Sequence, residues 1–347
     1  MTQSTSLRRC LLILPRGFYG FASVLSRGLE QKGYSTTIAN DEYPENFFGK
    51  VISKLGLRLS HWFTRSALVE NFLKDKFYEL ILVIKGRGID ECTAALLQKH
   101  AALVVGYHFD SFGYDSGPSR WRSHVYRVCT FDYYDADVEN MPLVELFTSL
   151  PSVPPKAVRR YRVSAVLRNH SHRLAYLDQV LRALDDEGIH GEQYIYILEA
   201  HPLSFVFNLL RHPILYWKYR RHIYSRPLSY SDYVAVIADS DFTIDYSHPR
   251  QTGITIRCFE ALSAGTRIIT NNFSVRRSAC FSADHVIFLS PGEDASVLAS
   301  QLAFLPSGPP SAVYRGVDAF LNELIDTGPI GISSLAGPSH PQESGSI

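Results

Sequence analysis

The sequence has few of the features that mark small stapled domains or membrane-spanning chains. Only five cysteines occur in 347 residues, they lie far apart, and no two form a C-x-x-C pair. Neither a zinc site nor a disulfide framework is therefore indicated, and a reducing cytoplasm fits best. Apolar runs are under ten residues long, too short to span a bilayer. The first of them, Cys10 to Leu14, predicts a β-strand and not the core of a signal peptide.

An excess of charge of one sign is also missing. Lys and Arg number 35 against 34 Asp and Glu, for a net charge of +1. A protein whose whole surface must neutralise phosphates is thereby excluded, so no nucleic-acid partner is expected and any basic site must be local. What the chain does have is 46% hydrophobic residues and a length typical of two domains.

Continuous apolar runs bounded by turn residues alternate with helical patterns along the whole chain. Such runs are typical of strands buried on both faces, so the alternation predicts an α/β fold with parallel sheets. The predicted strands are Cys10–Leu14, Tyr34–Ala39, Tyr78–Ile84, Ala101–Tyr107, Val125–Phe131, Tyr161–Leu167, Gln193–Leu198, Phe242–Asp245, Arg267–Thr270 and Val286–Leu289.

A proline cluster, L-P-S-V-P-P at Leu150 to Pro155, interrupts this alternation and then the pattern restarts. We therefore expect two tandem Rossmann-like domains that face a cleft, residues 1–150 and 156–327. Residues 328–347 are rich in Gly, Ser and Pro, which predicts a disordered tail. Capping boxes predict helices that begin at Ser229 and at Ser290.

The densest functional signal runs from Ser247 to Asn272. Three residues, Gln251, Thr252 and Gly253, precede a predicted helix whose N–H groups would point back toward a pyrophosphate. Thr255 and Arg257 fall near its first turn, and Glu260 follows Arg257 by three residues on the same face. A guanidinium for phosphate and a carboxylate for ribose hydroxyls would hold a nucleotide. The plainer interpretation is a surface ion pair on an ordinary helix.

The string G-I-T-I-R-C-F-E-A-L-S-A-G-T-R-I-I-T-N-N, residues 253–272, resembles the donor-binding segment of bacterial GT-B glycosyltransferases. It is most similar to CgeB-like (spore-maturation) proteins and their relatives in capsule and lipopolysaccharide biosynthesis. Weaker similarity extends over most of the chain, through the strand ends near Lys85, His108 and Asp132. The resemblance implies a nucleotide-sugar donor on the second domain and an acceptor on the first. It implies a nucleotide sugar as substrate and no separate cofactor.

One position departs from the pattern of retaining family-4 glycosyltransferases. Those enzymes have a second glutamate eight residues before the one that would match Glu260, and here that position is Thr252. Retention of configuration is therefore not inferred.

Polar residues at predicted strand ends complete the candidate site, because ligands of open α/β sheets gather there. We expect Arg16, Lys85 and Arg87 on the acceptor side, and Asp110 or His108 as a base that deprotonates an acceptor hydroxyl. Arg168 and Asn169, after the first strand of the second domain, are further candidate donor contacts. The alternatives are that Asp110 caps a turn, that His108 is a satisfied, partly buried imidazole and that Ser171, two residues after Asn169, is a helix N-cap.

Two D-x-D strings, at Asp135–Asp137 and Asp239–Asp241, resemble metal motifs of a different glycosyltransferase fold, and we reject them because of their expected place in turns. We predict that the activity requires no metal ion.

Residues 200–231 contain five Lys and Arg and no acid, interleaved with aromatic residues. Such a stretch predicts one of two arrangements. Either it makes peripheral contact with an anionic membrane, or its aromatic side chains lie in the hydrophobic core while its arginines cover the rim of the cleft.

These observations predict a cytoplasmic glycosyltransferase of surface polysaccharide or glycan biosynthesis, with peripheral contact at the inner face of the membrane left open. Its acceptor would be a saccharide or a lipid-linked molecule. The alternative is a catalytically silent GT-B-like protein that binds nucleotides or acts as a scaffold. An epimerase on the same fold has no sequence feature in its favour, and the loop after the first strand lacks the G-x-G-x-x-G of dehydrogenases.

Overall fold

A computed structural model describes residues 7–18, 20–46, 49, 51–52, 58–150, 155–199 and 201–325. It contains two parallel β-sheets, each flanked by helices, and it confirms the predicted pair of Rossmann-like domains.

The first sheet has the strand order β2-β1-β3-β4-β5, and all its pairings are parallel. Its core strands β3 and β4 are buried at every position, as the continuous apolar runs predicted. The strands are β1 (Arg8–Leu14), β2 (Tyr34–Asn40), β3 (Leu80–Ile84), β4 (Val104–His108) and β5 (Arg127–Thr130). The helices are α1 (Phe21–Gln31), α2 (Leu59–Leu68, continued by a π turn at Val69–Leu73), α3 (Glu91–Lys99) and α4 (Tyr133–Glu139).

The second sheet has the order β11-β10-β9-β6-β7-β8 and is also parallel throughout. Its strands are β6 (Tyr161–Arg168), β7 (Gln193–Leu198), β8 (Ile223–Tyr224), β9 (Ser240–Asp245), β10 (Arg267–Thr270) and β11 (Val286–Phe288). Its helices are α5 (Arg173–Asp186), α6 (Pro202–Arg211), α7 (Pro213–Tyr219), α8 (Tyr230–Ala238), α9 (Ile256–Ser263) and α10 (Ala295–Leu302).

A last helix, α11 (Val317–Ile325), leaves the second domain and packs on the first. Its Phe320 ring meets the rings of Tyr107 and Phe147 at centroid distances of 4.9 and 4.8 Å. The packing of α11 on the first domain differs from the predicted division of the chain, which assigned residues through 327 to the second domain. This packing joins residues that are far apart in the sequence, so no local sequence pattern predicts it.

The two domains share one apolar cluster at their contact. Phe131 and Phe147 of the first domain belong to the same buried group as Ile254 and Phe259 of the second. A Cβ atom on Gly253 would lie 2.1 Å from the Phe131 ring, so glycine is required there for the domains to meet at this distance.

Several predicted elements differ from the observed ones. The capping box at Ser229 is confirmed, since the Asp232 N–H donates to the Ser229 hydroxyl at 3.1 Å. The predicted helix start at Ser290 is wrong, because the chain makes a turn there and α10 begins after Asp294, whose carboxylate accepts from the Ser296 N–H. Helices α4, α6, α7 and α11 were not predicted. Residues 151–154 of the predicted linker and the predicted tail, 328–347, lie outside the described residues.

Candidate functional site

The cavity between the two domains lies where both sheet topologies place a ligand. In an open parallel sheet, ligands bind beyond the carboxyl ends of the strands, at the point where strand order reverses. That point falls between β1 and β3 in the first sheet and between β6 and β9 in the second. The chain leaves a cavity of about 510 Å³ beside these points, lined from one domain by the loops after β3 and β4 and from the other by those after β6 and β7.

Five of the residues predicted for the site line this cavity together. From the first domain they are Lys85, Arg87 and Asp110, and from the second they are Arg168 and Asn169. Sequence positions from 85 to 169 are thus brought to one place. The cavity is also lined by residues that were not assigned to the site, among them Tyr114, Arg173, Glu199, His201 and Ser204.

The first-domain wall is a short chain of ion pairs. The Lys85 ammonium lies 2.8 Å from a carboxylate oxygen of Asp110, and a guanidinium nitrogen of Arg87 lies 3.5 Å from the same oxygen. Arg87 also donates through Nε to Asp115 at 2.7 Å. Lys85 has a positive φ of 66°, which is costly for a side chain with a Cβ. Asp110 therefore holds two cations in place, and its carboxylate is already engaged.

The wall that the second domain contributes to the cavity is basic, and it includes the first turn of helix α5. Arg168 ends β6, His170 follows it, and Arg173 is the first residue of α5. The pKa of His170 is lowered to about 4, first by burial in the cleft and then by the positive charges of Arg173 and Arg168. Ser171, in the turn between them, has a φ of 57°. A neutral imidazole, two guanidinium groups and the N-terminus of a 14-residue helix make this wall suitable for a diphosphate.

A buried carboxylate, Glu199, forms part of the same cavity and was missed from the sequence. It is 6% exposed, and its Oε1 accepts from the Asn169 amide at 2.7 Å, the Asn208 amide at 2.8 Å and the Tyr216 hydroxyl. Three donors on one oxygen fix the orientation of the group. Its position directly after the predicted strand Gln193–Leu198 was the signal that could have identified it.

Two predicted first-domain residues lie elsewhere. His108 is 1% exposed and stacks on Phe112 at a centroid distance of 4.4 Å. Burial lowers the pKa of His108 to about 4, so it is a neutral core residue, and its assignment as an acceptor base is corrected. Arg16 pairs with Glu45 at 2.5 Å on the exposed surface, outside the cavity lining.

The loop predicted to bind pyrophosphate contacts the first domain instead. The Thr252 N–H donates to the Asp132 carboxylate at 2.6 Å, and the Gly253 N–H donates to it at 3.0 Å. The Thr252 hydroxyl donates to the other oxygen of Asp132 at 2.7 Å. Gln251 lies in the same loop, its N–H bonded to the carbonyl of His248. The Thr252 and Gly253 N–H groups are used to join the domains, and that of Gln251 is used within the loop, which corrects the assignment of this loop to a ligand.

The remaining predicted donor residues form pairs inside the second domain, in which Asp245 and Glu260 are buried while Thr255 and Arg257 are partly exposed. Asp245, fully buried at the end of β9, accepts from the Thr255 hydroxyl at 2.8 Å and from Arg257 at 3.2 Å. Glu260 is 2% exposed, and its two oxygens accept from the hydroxyls of Tyr230 and Tyr233 at 2.9 and 2.6 Å. Burial raises the pKa of Glu260. Glu260 is therefore covered by two tyrosines and does not open into the cavity.

The two D-x-D strings are also engaged. Asp137 pairs with Arg277 across the domain contact, Asp239 with Lys156 and Asp241 with Arg162. The first string lies in α4 and not in a turn as predicted. Within the described ranges, no group of three His, Cys, Asp or Glu residues could hold a metal ion.

A family model for glycosyl transferase-like proteins matches residues 175–306, which is less than half of the chain. No curated protein matches the sequence. The resemblance to CgeB-like proteins therefore stays a prediction, while the family match supports a relation to glycosyltransferases in general.

Similarity to solved structures extends over both domains. The S. aureus MnaA structure with UDP has a TM-score of 0.54 at 11% identity and covers 91% of this chain and 94% of its own. AviGT4, a glycosyltransferase involved in avilamycin A biosynthesis, has a TM-score of 0.52 at 10% identity, with 92% of both chains covered. UDP-GlcNAc 2-epimerase from Methanocaldococcus jannaschii has a TM-score of 0.51 at 11% identity, covering 90% and 97%. At these identities they show a shared GT-B fold.

Proposed function

We propose that the chain is a glycosyltransferase that moves a sugar from a nucleoside-diphosphate sugar to a saccharide or lipid-linked acceptor in surface polysaccharide or glycan biosynthesis. The observation that carries the proposal is the convergence of Lys85, Arg87, Arg168 and Arg173, from two domains, on one cavity at the carboxyl ends of both sheets. The match to glycosyl transferase-like proteins supports the same reaction class.

The basic wall would stabilise the leaving group. A nucleoside diphosphate gains negative charge as the glycosidic bond breaks, and fixed cations in a desolvated cavity lower the energy of that state. Arg168 and Arg173, with the N-terminus of α5 between them, would contact the diphosphate. Because these charges belong to the protein, we expect turnover to survive excess chelator. Loss of turnover in EDTA and recovery with magnesium would contradict this.

The two carboxylates of the cavity would have different roles. Asp110 is a positioning residue, because it holds Lys85 and Arg87 through its ion pairs. Glu199 is oriented by three donors on one oxygen, which leaves its second oxygen as the candidate contact for a sugar hydroxyl. Glu199→Gln would then weaken binding of the nucleotide sugar more than binding of the nucleoside diphosphate alone.

The first experiment is a panel of UDP, GDP, dTDP and their sugars, tested by thermal stabilisation. A ligand at about 100 times its Kd adds ~2.7 kcal/mol to the stability of the folded chain. Arg168→Gln should weaken the binding of the best ligand ten- to a hundredfold, since a charge-assisted hydrogen bond contributes about 1.5–3 kcal/mol. Arg16→Gln, on the exposed surface, is the matched control. If no member of the panel binds, the proposal fails.

A catalytically silent nucleotide-binding protein is the second candidate. It is favoured by one specific observation: of the two residues predicted as base, Asp110 is paired with two cations and His108 is buried. Ligand binding with neither sugar transfer nor hydrolysis would support it. Conversion of a nucleotide sugar without any acceptor would instead indicate an epimerase, the activity named for one of the similar structures.

A further inference from the structure

The apolar hairpin, residues 202–219, is formed by α6 and α7 between strands β7 and β8. All ten residues of α6 are at least partly exposed, although six of them are large and apolar. The outer surface of the hairpin is made of side chains between 51% and 82% exposed: Leu203, Val206, Phe207, Leu210, Ile214 and Trp217. Contiguous apolar surface of this kind marks an interaction site.

The chain segment that contains the apolar hairpin carries charge of one sign. Residues 201–231 contain Arg211, Lys218, Arg220, Arg221 and Arg226 and no Asp or Glu. The Arg220 guanidinium lies over the Trp217 ring at 4.3 Å, so a cation sits directly beside the apolar surface. Lys218 is partly neutralised by Asp178 at 2.7 Å. The remaining arginines give the surface a net positive charge.

The polar side of α6 faces the cleft. Ser204 lines the inter-domain cavity, and Asn208, four residues later on the same face, donates to Glu199. The apolar side chains of the helix therefore point away from the cavity while the helix itself forms part of its wall. A surface bound by the apolar hairpin would lie next to the mouth of the cavity.

We propose that the apolar hairpin binds the surface of an anionic phospholipid bilayer. Aromatic and aliphatic side chains flanked by arginines are the composition of helices that lie in the membrane interface. A helix of ten residues is about 15 Å long, half the thickness of the hydrocarbon core, so α6 would lie along the surface. Within the described residues, none of the helices is long and apolar enough to cross a membrane.

Charge complementarity favours the bilayer over a second copy of the chain. A twofold contact through this surface would bring the same arginines of both copies together, which is repulsive. Anionic headgroups would neutralise them. If the proposed glycosyl transfer holds, this placement also selects the lipid-linked class of acceptor, because the cavity would open beside the headgroups.

Vesicle sedimentation tests the proposal. We expect the wild-type chain to bind vesicles of equimolar phosphatidylglycerol and phosphatidylcholine, and to bind pure phosphatidylcholine much more weakly. Leu210→Glu/Ile214→Glu should weaken binding to the anionic vesicles at least tenfold, and Arg220→Gln/Arg221→Gln should weaken it roughly fivefold per charge. Phe304→Glu is the matched control, because Phe304 is 89% exposed on another part of the surface.

Three results would overturn the proposal: no binding of wild type to anionic vesicles, equal binding of the Leu210→Glu/Ile214→Glu variant, or equal loss with Phe304→Glu. A wild-type dimer in sedimentation equilibrium that this variant dissociates, without vesicle binding, would assign the surface to a second copy. An unchanged melting temperature shows that the variant is folded. Nucleotide-sugar binding measured without vesicles tests the proposed function separately, so either can fail alone.

Discussion

The second domain has two regions in which arginines follow a buried strand, and they use their charges differently. At the end of β6 and in the turn of helix that follows, Arg168 and Arg173 border a cavity shared with the first domain. After β9, Arg257 is bonded to Asp245, and the nearby Glu260 is covered by Tyr230 and Tyr233. The second region carries the stronger sequence motif. In the second region neighbouring elements supply the partners, so Arg257 and Glu260 are already bonded within the protein.

We expect the largest loss of stability when the contact between Asp132 and the loop before α9 is removed. Asp132 is 1% exposed, caps α4 and accepts two N–H groups and a hydroxyl from the loop before α9. Asp132→Ala leaves those donors without an acceptor, so we expect a loss of about 3–5 kcal/mol in the free energy of unfolding, measured by urea denaturation. Asp294→Ala, which removes a more exposed cap, should cost only ~1 kcal/mol. Equal losses in the two variants would contradict the joining role of Asp132.

A pH titration separates His108 from the residues of the open cavity. In the unfolded chain an imidazole binds a proton near pH 6.5, whereas the pKa of buried His108 is lowered to about 4. As the pH falls from 7 to 4, the unfolded state therefore gains a proton that the folded state does not, and stability is lost. We expect this group to contribute a loss of about 3 kcal/mol.

The contribution of His108 is isolated by comparing wild type with His108→Gln at each pH. Other groups contribute as well: burial raises the pKa of Asp41 to about 7, which favours the folded state as the pH falls, whereas the lowered pKa of His170 acts in the same direction as that of His108. The difference between the two proteins cancels such effects. A difference that stays constant between pH 7 and pH 4 would show that the pKa of His108 is the same in the folded and the unfolded chain, and would contradict the prediction.

Glu260 gives the smallest of the three effects on stability. Glu260→Gln keeps the shape of the side chain but replaces one acceptor of a tyrosine hydroxyl by an amide. We expect a loss of about 1–3 kcal/mol in unfolding free energy, since one buried hydroxyl loses its partner. Tyr233→Phe, which removes a donor to the same carboxylate, is the companion variant. No change in stability in either variant would show that the Glu260 pairs are open to solvent.

Local patterns predicted most of the fold. The strands Gln193–Leu198 and Arg267–Thr270 have the predicted bounds, because continuous apolar runs between turns have few alternatives. Helix α11 was missed because its reason for forming is distant: Phe320 packs on rings more than 170 positions earlier in the chain. The predicted cap at Ser290 fails for a local reason, since the Ser290 N–H donates to Glu293 in a turn that precedes α10.

The site was predictable only where topology alone determined it. Lys85, Asp110, Arg168 and Asn169 follow parallel strands, and parallel strands bring their carboxyl ends to one edge. The hydrogen-bond partner of Thr252 is Asp132, which lies 120 residues away in the other domain. Nothing within the motif itself could show that its N–H groups were already paired.

The affinity of one nucleotide for two variants shows whether the nucleotide binds in the inter-domain cavity. Using whichever of UDP, GDP and dTDP binds the wild-type chain most tightly, calorimetric titration should give a Kd ten- to a hundredfold higher for Arg168→Gln, at the open cavity, and a change of under about threefold for Glu260→Gln. The opposite result, with wild-type affinity in Arg168→Gln and a large loss in Glu260→Gln, would show that the nucleotide binds at the helix α9 motif and not in the inter-domain cavity.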